Sequence, residues 1–556
     1  MNKNNQALSI RTISPTNVTT ETWKYGQILR GIDEIVIELG NAHWYGGGGL
    51  VHQLYPLEKA AIYANPFLTS DNGHTGLLGI AEPFWFNSNG QGVWVKNDDI
   101  TMSFNAPTSG EPPQHSFFES ASNDIRPRRA SDIETDGLLR IQGNDLTIYL
   151  FECDNARAVV EAYWEQITIS PPPPAWLLES PLWTTWAHFK NNINEDNIQE
   201  YVARLLEHGF QMSIFGIDAK WQEQFGDTHF DPVRFPNPRG LIEKLNQYGA
   251  KVTLWCIPFF MPESEHFQEA IAQGFVLCDQ DQQPFIGQWW EGKAAFLDVT
   301  NPKAMAWHLS NLKRLADEVG LHGYKFDAGE GMFFANSGTC RFMQDAPNLA
   351  TKRYIEQAAT VFPWSDVRTA WRTQAIPMLY RQWDKSSRWG FDNGLASCIT
   401  QAITLNLLGY PYSFSDMIGG NQYGDDRADG ELMIRWTQAV SPMPFIQFSI
   451  APWDYGTEVA KICARYAQLH QHIAPYTLKV IQQNAPIIRP IWWLEPTDTI
   501  AQAIDDEYLV GDELLVAPII EKGAVARNIY LPKGKWRNYW NESEIYQGKC
   551  WLEAYP

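Results

Sequence analysis

Cysteine is scarce in this sequence: Cys153, Cys256, Cys278, Cys340, Cys398, Cys463 and Cys550 are seven in 556 residues, odd in number, scattered and free of C-x-x-C spacing. That pattern excludes a disulfide framework and a zinc site of the paired-cysteine kind, and it fits a reducing compartment. Long apolar runs are missing too. No stretch reaches the roughly 18 apolar residues that span a bilayer, and the opening "MNKNNQALSI" lacks the apolar core of a secretion signal. Nor does any lysine–arginine run stand out against a formal net charge of −21, a balance that repels phosphate backbones and anionic headgroups. A cytoplasmic protein that binds neither nucleic acid nor membrane is the expectation.

Aromatic residues, by contrast, are plentiful: 24 Trp, 22 Tyr and 28 Phe accompany 44% hydrophobic and 19% charged residues, the composition of a folded chain rich in flat apolar faces. Such faces suit sugars as well as cores. At 556 residues the chain exceeds the roughly 250–300 that one core supports, so two or three domains are expected.

From Ala7 to about Ser170, short β-type runs ("EIVIEL", "GLLGIAEPFWF", "GVWVK", "ITMSF", "LTIYLFE") alternate with turn residues, which predicts an N-terminal antiparallel β-sandwich over 1–172. "PPPP" at 171–174 is a stiff spacer. A repeated unit then begins, an amphipathic helix, a glycine and a nearly all-apolar strand. Ile198, Tyr201, Val202 and Leu205 precede Gly209 and "MSIFGID"; Leu241, Leu245 and Tyr248 precede Gly249 and "KVTLWCIPFF"; Met305, Leu309, Leu312 and Leu315 precede Gly320 and "HGYKFD". Strands apolar throughout imply a parallel sheet covered on both faces. With "PLWTTWAHF" before and "DVRTAWR", "LGYPYSFSDMIGG" and "MPFIQFSI" after, the pattern predicts an α/β fold, a (β/α)8 TIM barrel over 173–475, with a doubly wound sheet as the alternative. β-type grammar returns over 476–556 and stops at "WLEAYP", which reads as a short or cut-back C-terminal β-domain.

Barrel enzymes carry their reactive groups where strands end. Here the strand ends deliver acids repeatedly: Asp218, Asp327, Asp392 and Asp416, with Trp186, Trp221, Trp255, Trp289, Trp290, Trp371 and Trp389 nearby. Acids ringed by indoles describe a sugar pocket. Glycosidases need two carboxyl groups, about 5–5.5 Å apart when retaining and about 6.5–9.5 Å when inverting. Asp327 and Asp392, borne on different strands, meet that need. Lys325 points to the same side of its strand as Asp327 and would keep it ionised. Glu330 competes with Asp327, but it follows the flexible Gly329 whereas Asp327 sits on the rigid strand end. Each reading has a structural rival, because a lone strand-end acid is more often a cap or an ion-pair partner and a lone tryptophan is as often core as lining. "HWYGGGG" lacks the Lys-Ser/Thr of a phosphate loop and reads as a tight sandwich loop, while His470 and His472, without a third ligand, read as surface.

Motifs running in order along the chain, "HWYGGGG", "PFLTSD", "EPFWFNSNGQGVWV", "FGIDAKW", "FLDVTNPKA", "YKFDAGE", "RWGFDNG", "LLGYPYSFSDMIGG", "ELMIRWTQ" and "DDEYLVGDELLVAPIIEKGAVARNIYLPKGKW", resemble glycoside hydrolase family 31. The resemblance implies a β-sandwich, a (β/α)8 barrel and a C-terminal β-domain, and a retaining, exo-acting mechanism on α-linked glycosides with no metal or organic cofactor. By motif it implies Asp327 as nucleophile, Asp392 as general acid/base, and Asp218, Trp255, Lys325 and Asp416 around the terminal sugar, with Trp290 and Trp389 as walls. Trp186 joins the ring at the mouth, Asp71 reaches in from the first domain, and Arg381 binds the sugar in competition with Arg368 and Arg372. "DAGE", where common α-glucosidases carry Asp-Met-Asn-Glu, and "PFIQFSIAPW" after "RW" are similar to the subgroup containing the myogenesis-regulating glycosidase, which implies α-galactosidase activity on a small oligosaccharide or glycoside. The same chemistry on glucose or xylose, transfer to an acceptor sugar, and non-catalytic carbohydrate binding are the alternatives. Homo-oligomerisation stays open.

Overall fold

In the computed structural model, which describes residues 9–14, 17–22, 26–71, 76–106, 128–132, 134–335 and 346–556, the middle of the chain lays down eight parallel strands. These are β1 (Leu182–Thr184), β2 (Ile214–Ile217), β3 (Lys251–Cys256), β4 (Gly323–Phe326), β5 (Asp366–Val367), β6 (Leu379–Arg381), β7 (Ser413–Phe414) and β8 (Gln447–Phe448), neighbours in space in that order. Because β8 returns to pair with β1, and a Met417–Gln447 bridge joins the end of β7 to β8, the ring is a barrel and not a doubly wound sheet. β6 is the strand that the sequence conceals, since no helix separates it from β5 and the helix–glycine–strand pattern fails there.

The helices of the three clear repeats span Glu195–Glu207, Pro238–Gln247 and Pro302–Val319, each opened by an asparagine (Asn194, Asn237, Asn301) whose side chain accepts a first-turn N–H. Gly320, at φ 88°, closes the third in the left-handed conformation. Ile198, Tyr201, Val202 and Leu205 form the buried stripe of the first, and Phe215, Ile217, Val252, Leu254, Tyr324 and Phe326 on the strands are fully buried beneath such helices. The last barrel helix, Thr457–Ile481, runs straight through Pro475, so the boundary expected at 475 falls inside an element and the terminal β-domain begins near Ile488. His470 lies on the buried stripe of that helix with Ala467, Ile473 and Ala474, and its Nδ1 meets Ser441 O at 2.9 Å; it is core, not surface, while His472 is exposed.

The first domain is antiparallel, and side-chain alternation explains why its strands read so apolar. On Leu77–Asn87, Trp85 faces the domain's own core beside Trp44, Phe67 and Val93, whereas Phe84 and Phe86 face the other way and join a cluster continuous with the barrel. "HWYGGGG" is not a loop. Trp44–Leu50 is a buried strand paired with Leu77–Asn87, bulged at Gly46 to Gly48, and Gln401 Nε2 from the barrel helix Leu395–Leu407 donates to Leu50 O at 2.9 Å. The described cysteines are free thiols, and Cys340 lies outside the described residues. Among the described residues no helix is long and apolar enough to cross a membrane.

Candidate active site

β4 delivers Asp327 to the carboxyl end of the barrel. Its neighbour β3 aligns Trp255 with Lys325, and Trp255 Nε1 donates to Asp327 Oδ2 at 2.9 Å. Asp218, just past β2, accepts Lys325 Nζ on Oδ2 at 2.8 Å and its following backbone N–H, from Ala219, on Oδ1 at 2.9 Å. Lys325 is therefore bonded to Asp218 and acts on Asp327 through its field alone.

The direct charged partners of Asp327 are two guanidinium groups, both on Oδ1: Arg381 Nη2 at 2.9 Å and Arg368 Nε at 3.3 Å. Burial would raise the Asp327 carboxyl, but Arg368, Lys325 and Arg381 outweigh it and hold the group well below the usual carboxylate range. Each guanidinium gathers further acids. Arg368 reaches Asp71 Oδ1 at 3.2 Å and Glu330 Oε1 at 2.7 Å; Arg381 reaches Asp384 and Asp366 at 2.8 and 3.3 Å and Asp416 at 3.3 Å. Five donors in a rigid fork let one arginine serve several carboxylates in this way. Glu330, wholly buried behind Arg368, is pushed up by burial to about 7.

Asp327 faces a cavity of about 280 Å³. Seven of the sequence candidates meet there: Asp71, Trp186, Asp218, Trp255, Trp290, Lys325 and Asp327. Arg368, weighed as a competitor, lines it as well, 5.1 Å over the Trp290 ring. Asp71 is brought from the first domain by a loop tied to the barrel, where Thr69 N donates to Asn348 Oδ1 at 3.0 Å and Thr69 Oγ1 accepts Gly331 N at 2.6 Å.

Four candidates lie elsewhere. Arg381 and Asp416 are fully buried beneath the floor, where Asp416 Oδ2 accepts Lys385 N at 2.9 Å; they position Asp327 and Asp384 and do not reach the cavity. Trp389 packs half-buried against the core. Asp392 also stands outside the cavity lining, its side chain 35% exposed and its Oδ2 3.4 Å from Arg388 Nη1. Asp384 lines the cavity in its stead, because the chain leaving β6 turns over the mouth at once: Trp383 Nε1 donates to Asp71 Oδ1 at 3.2 Å, and Arg381 Nη1 holds Asp384 at 2.8 Å. Burial raises the Asp384 carboxyl, yet Arg381 and then Arg368 overcome it, so the group lies below its ordinary range. Ala219, Phe225, Glu291 and Tyr423 complete the wall without having been expected. Asp384 had a signal, being the first acid after a barrel strand, but that strand was itself concealed.

The placement of Arg368 depends on Gly79. Ala370 N donates to Gly79 O at 2.9 Å, and a Cβ added at Gly79 would stand 2.1 Å from Arg368 O. Gly79→Ala is expected to displace Arg368 and lower kcat/KM by about 10²-fold, the order reported for ångström-scale misplacement; steady-state kinetics beside a melting curve check this, and an unaltered kcat/KM would refute it.

The description "Glycosyl hydrolases family 31 TIM-barrel domain" matches residues 170–480, "Glycosyl hydrolase family 31 C-terminal domain" matches 484–556, and "Myogenesis-regulating glycosidase N-terminal domain" matches 24–123. The chain belongs to glycoside hydrolase family 31. Myogenesis-regulating glycosidase of Mus musculus is 33% identical over 522 residues, 90% of this chain and 71% of the mouse protein. SITS-binding protein of Tetronarce californica is 27% identical over 545 residues, 93% of this chain and 73% of that protein. A GH31 dextranase of Flavobacterium johnsoniae complexed with glucose superposes with a TM-score of 0.77 at 18% identity, covering 98% of this chain and 69% of its own. As a family 31 member the protein is a glycoside hydrolase, and its pocket is composite: the family barrel supplies Asp218, Asp327, Arg368 and Asp384, while Asp71 comes from the segment like the N-terminal domain of the myogenesis-regulating glycosidase.

Proposed function

We propose that this family 31 enzyme is a retaining, exo-acting α-galactosidase in which Asp327 is the nucleophile and Asp384 the general acid/base. The observation that carries the reading is that Asp327 and Asp384 accept from Nη2 and Nη1 of the one Arg381 guanidinium while both line the same cavity. Two acids sharing the ends of one guanidinium are close neighbours, as retention at about 5–5.5 Å demands. Asp327, ionised, attacks the anomeric carbon as Asp384, in the protonated fraction that the arginines leave, gives its proton to the departing oxygen. Asp384, then ionised, takes a proton from water, whose oxygen displaces Asp327 and releases the sugar with its configuration kept. Acid catalysis draws on the protonated fraction of Asp384, so activity on poor leaving groups declines as pH rises.

A cavity of about 280 Å³ lies just under the roughly 300–1,000 Å³ of common ligand pockets, which supports one terminal sugar over an internal stretch of chain. The galactose assignment is supported by the "DAGE" strand, by the match of residues 24–123, and by Asp71 and Asp218, carboxylates from two domains that offer acceptors to an axial hydroxyl. Aryl α-galactoside, α-glucoside and α-xyloside assayed side by side test it. We expect kcat/KM to favour the galactoside by about 10²-fold or more, with the α-anomer formed first by NMR. Preference for another sugar would overturn the specificity, and a first-formed β-anomer would overturn retention.

A further inference from the structure

Tyr423 stands at the cavity rim with its residue 41% exposed and its hydroxyl turned inward. That hydroxyl donates to Asp384 Oδ2 at 2.7 Å and accepts from Trp186 Nε1 at 2.8 Å. Chemistry fixes the direction of the chain. An indole N–H can only donate, so Trp186 occupies the phenol oxygen and the phenol proton is left to point at the carboxylate. The other oxygen of Asp384 belongs to Arg381. Oδ2 is thus the oxygen left for reacting groups, and Tyr423 is bonded to it.

We propose that Tyr423, oriented by Trp186, is a positioning residue that holds Asp384 ionised with Oδ2 toward the substrate and so sets the alkaline limit of activity. The inference rests on Asp384 being the acid/base. In the first step the Asp384 Oδ2–H bond breaks as its proton passes to the glycosidic oxygen and the Asp327–carbon bond replaces the carbon–oxygen bond; the anion left on Oδ2 receives the Tyr423 O–H. In the second step Oδ2 takes the proton of water against that same bond. A donor that favours the anion lowers the pH at which the acid form is lost.

The other charged groups around Asp384 are Arg381, Arg368, Lys325, Asp327, Asp71, Asp416 and Lys190. Those around Tyr423 are Asp416 and Lys190, whose Nζ lies 4.9 Å over the Tyr423 ring and 5.0 Å over that of Trp186 and bonds Asn421 O. Both arginines stay charged, and Asp327 stays ionised, across the working range. Lys190 does not, because burial draws its ammonium down to about 8.

The experiment is the pH profile of kcat/KM for Tyr423→Phe and Trp186→Phe, on the methyl glycoside and the 2,4-dinitrophenyl glycoside of the preferred sugar, with melting curves to confirm folding. For Tyr423→Phe the alkaline limb on the methyl glycoside should move up by about one pH unit, the size expected for one hydrogen bond to a charged group, and Trp186→Phe should move it less in the same direction. The shift should persist in a Lys190→Met background, which separates it from titration of Lys190, and be missing on the dinitrophenyl glycoside, whose leaving group needs no acid. A limb that stays put, moves down, or moves equally on both substrates overturns the proposal. If Asp384→Ala is inactive on the methyl glycoside while Tyr423→Phe leaves the limb in place, the relay alone fails; if Asp384→Ala matches the parent there, the acid/base assignment fails with it.

Discussion

Asp327→Ala should lower kcat/KM on an aryl α-galactoside by on the order of 10⁵-fold, as loss of an enzyme nucleophile does elsewhere. No neighbour can stand in. Glu330 is wholly buried behind Arg368, and Asp218 is engaged with Lys325. The two guanidinium groups that hold Asp327 stay in place on Asp71, Glu330, Asp366, Asp384 and Asp416, so the variant keeps an anion-attracting gap where the carboxylate stood. Added azide should enter it, attack the anomeric carbon from the vacated side and give the β-glycosyl azide. Activity within tenfold of the parent, or rescue that yields the α-azide, would remove Asp327 from the nucleophile role.

Asp384→Ala and Asp392→Ala should part company. The first keeps kcat/KM on the dinitrophenyl glycoside within about tenfold, because that leaving group departs unaided, but loses about 10²–10⁴-fold on a methyl glycoside, which needs the proton. Hydrolysis of the covalent intermediate becomes slow, an initial burst appears, and azide accelerates turnover to give the α-glycosyl azide. Asp392→Ala should stay within about threefold of the parent on both substrates, as substitutions away from special sites usually do, because Asp392 lies outside the cavity with its side chain 35% exposed. The reverse pattern would restore Asp392 as the proton donor.

The long apolar strands and the glycine-capped helices could be read from residue order, and so could Asp218, Asp327 and Lys325, because each sits on or directly after a run of four or more strand residues. β6 could not. No helix separates it from β5, and Asp384, the acid proposed above as proton donor, stays hidden behind it while the motif "RWGFDNG" offers Asp392. Depth was equally hidden: Arg381 and Asp416 belong to the site's chemistry, but strand position does not tell whether a side chain reaches the cavity or braces it from beneath. Polar letters misled twice elsewhere. Four glycines look like a loop when they are a buried strand paired closely along Leu77–Asn87, and His470 looks like surface unless its three-residue spacing from Ala467 and Ile473 is followed along the helix.

Asp71 enters the pocket from a loop more than 250 positions upstream of Asp327, held there by Asn348 and faced by Trp383. An isolated barrel would therefore be an amputated enzyme, lacking one wall of its own sugar cleft. A change at that loop would reshape the cleft and, because Arg368 joins Asp71 to Asp327, would also reach the group that attacks the sugar.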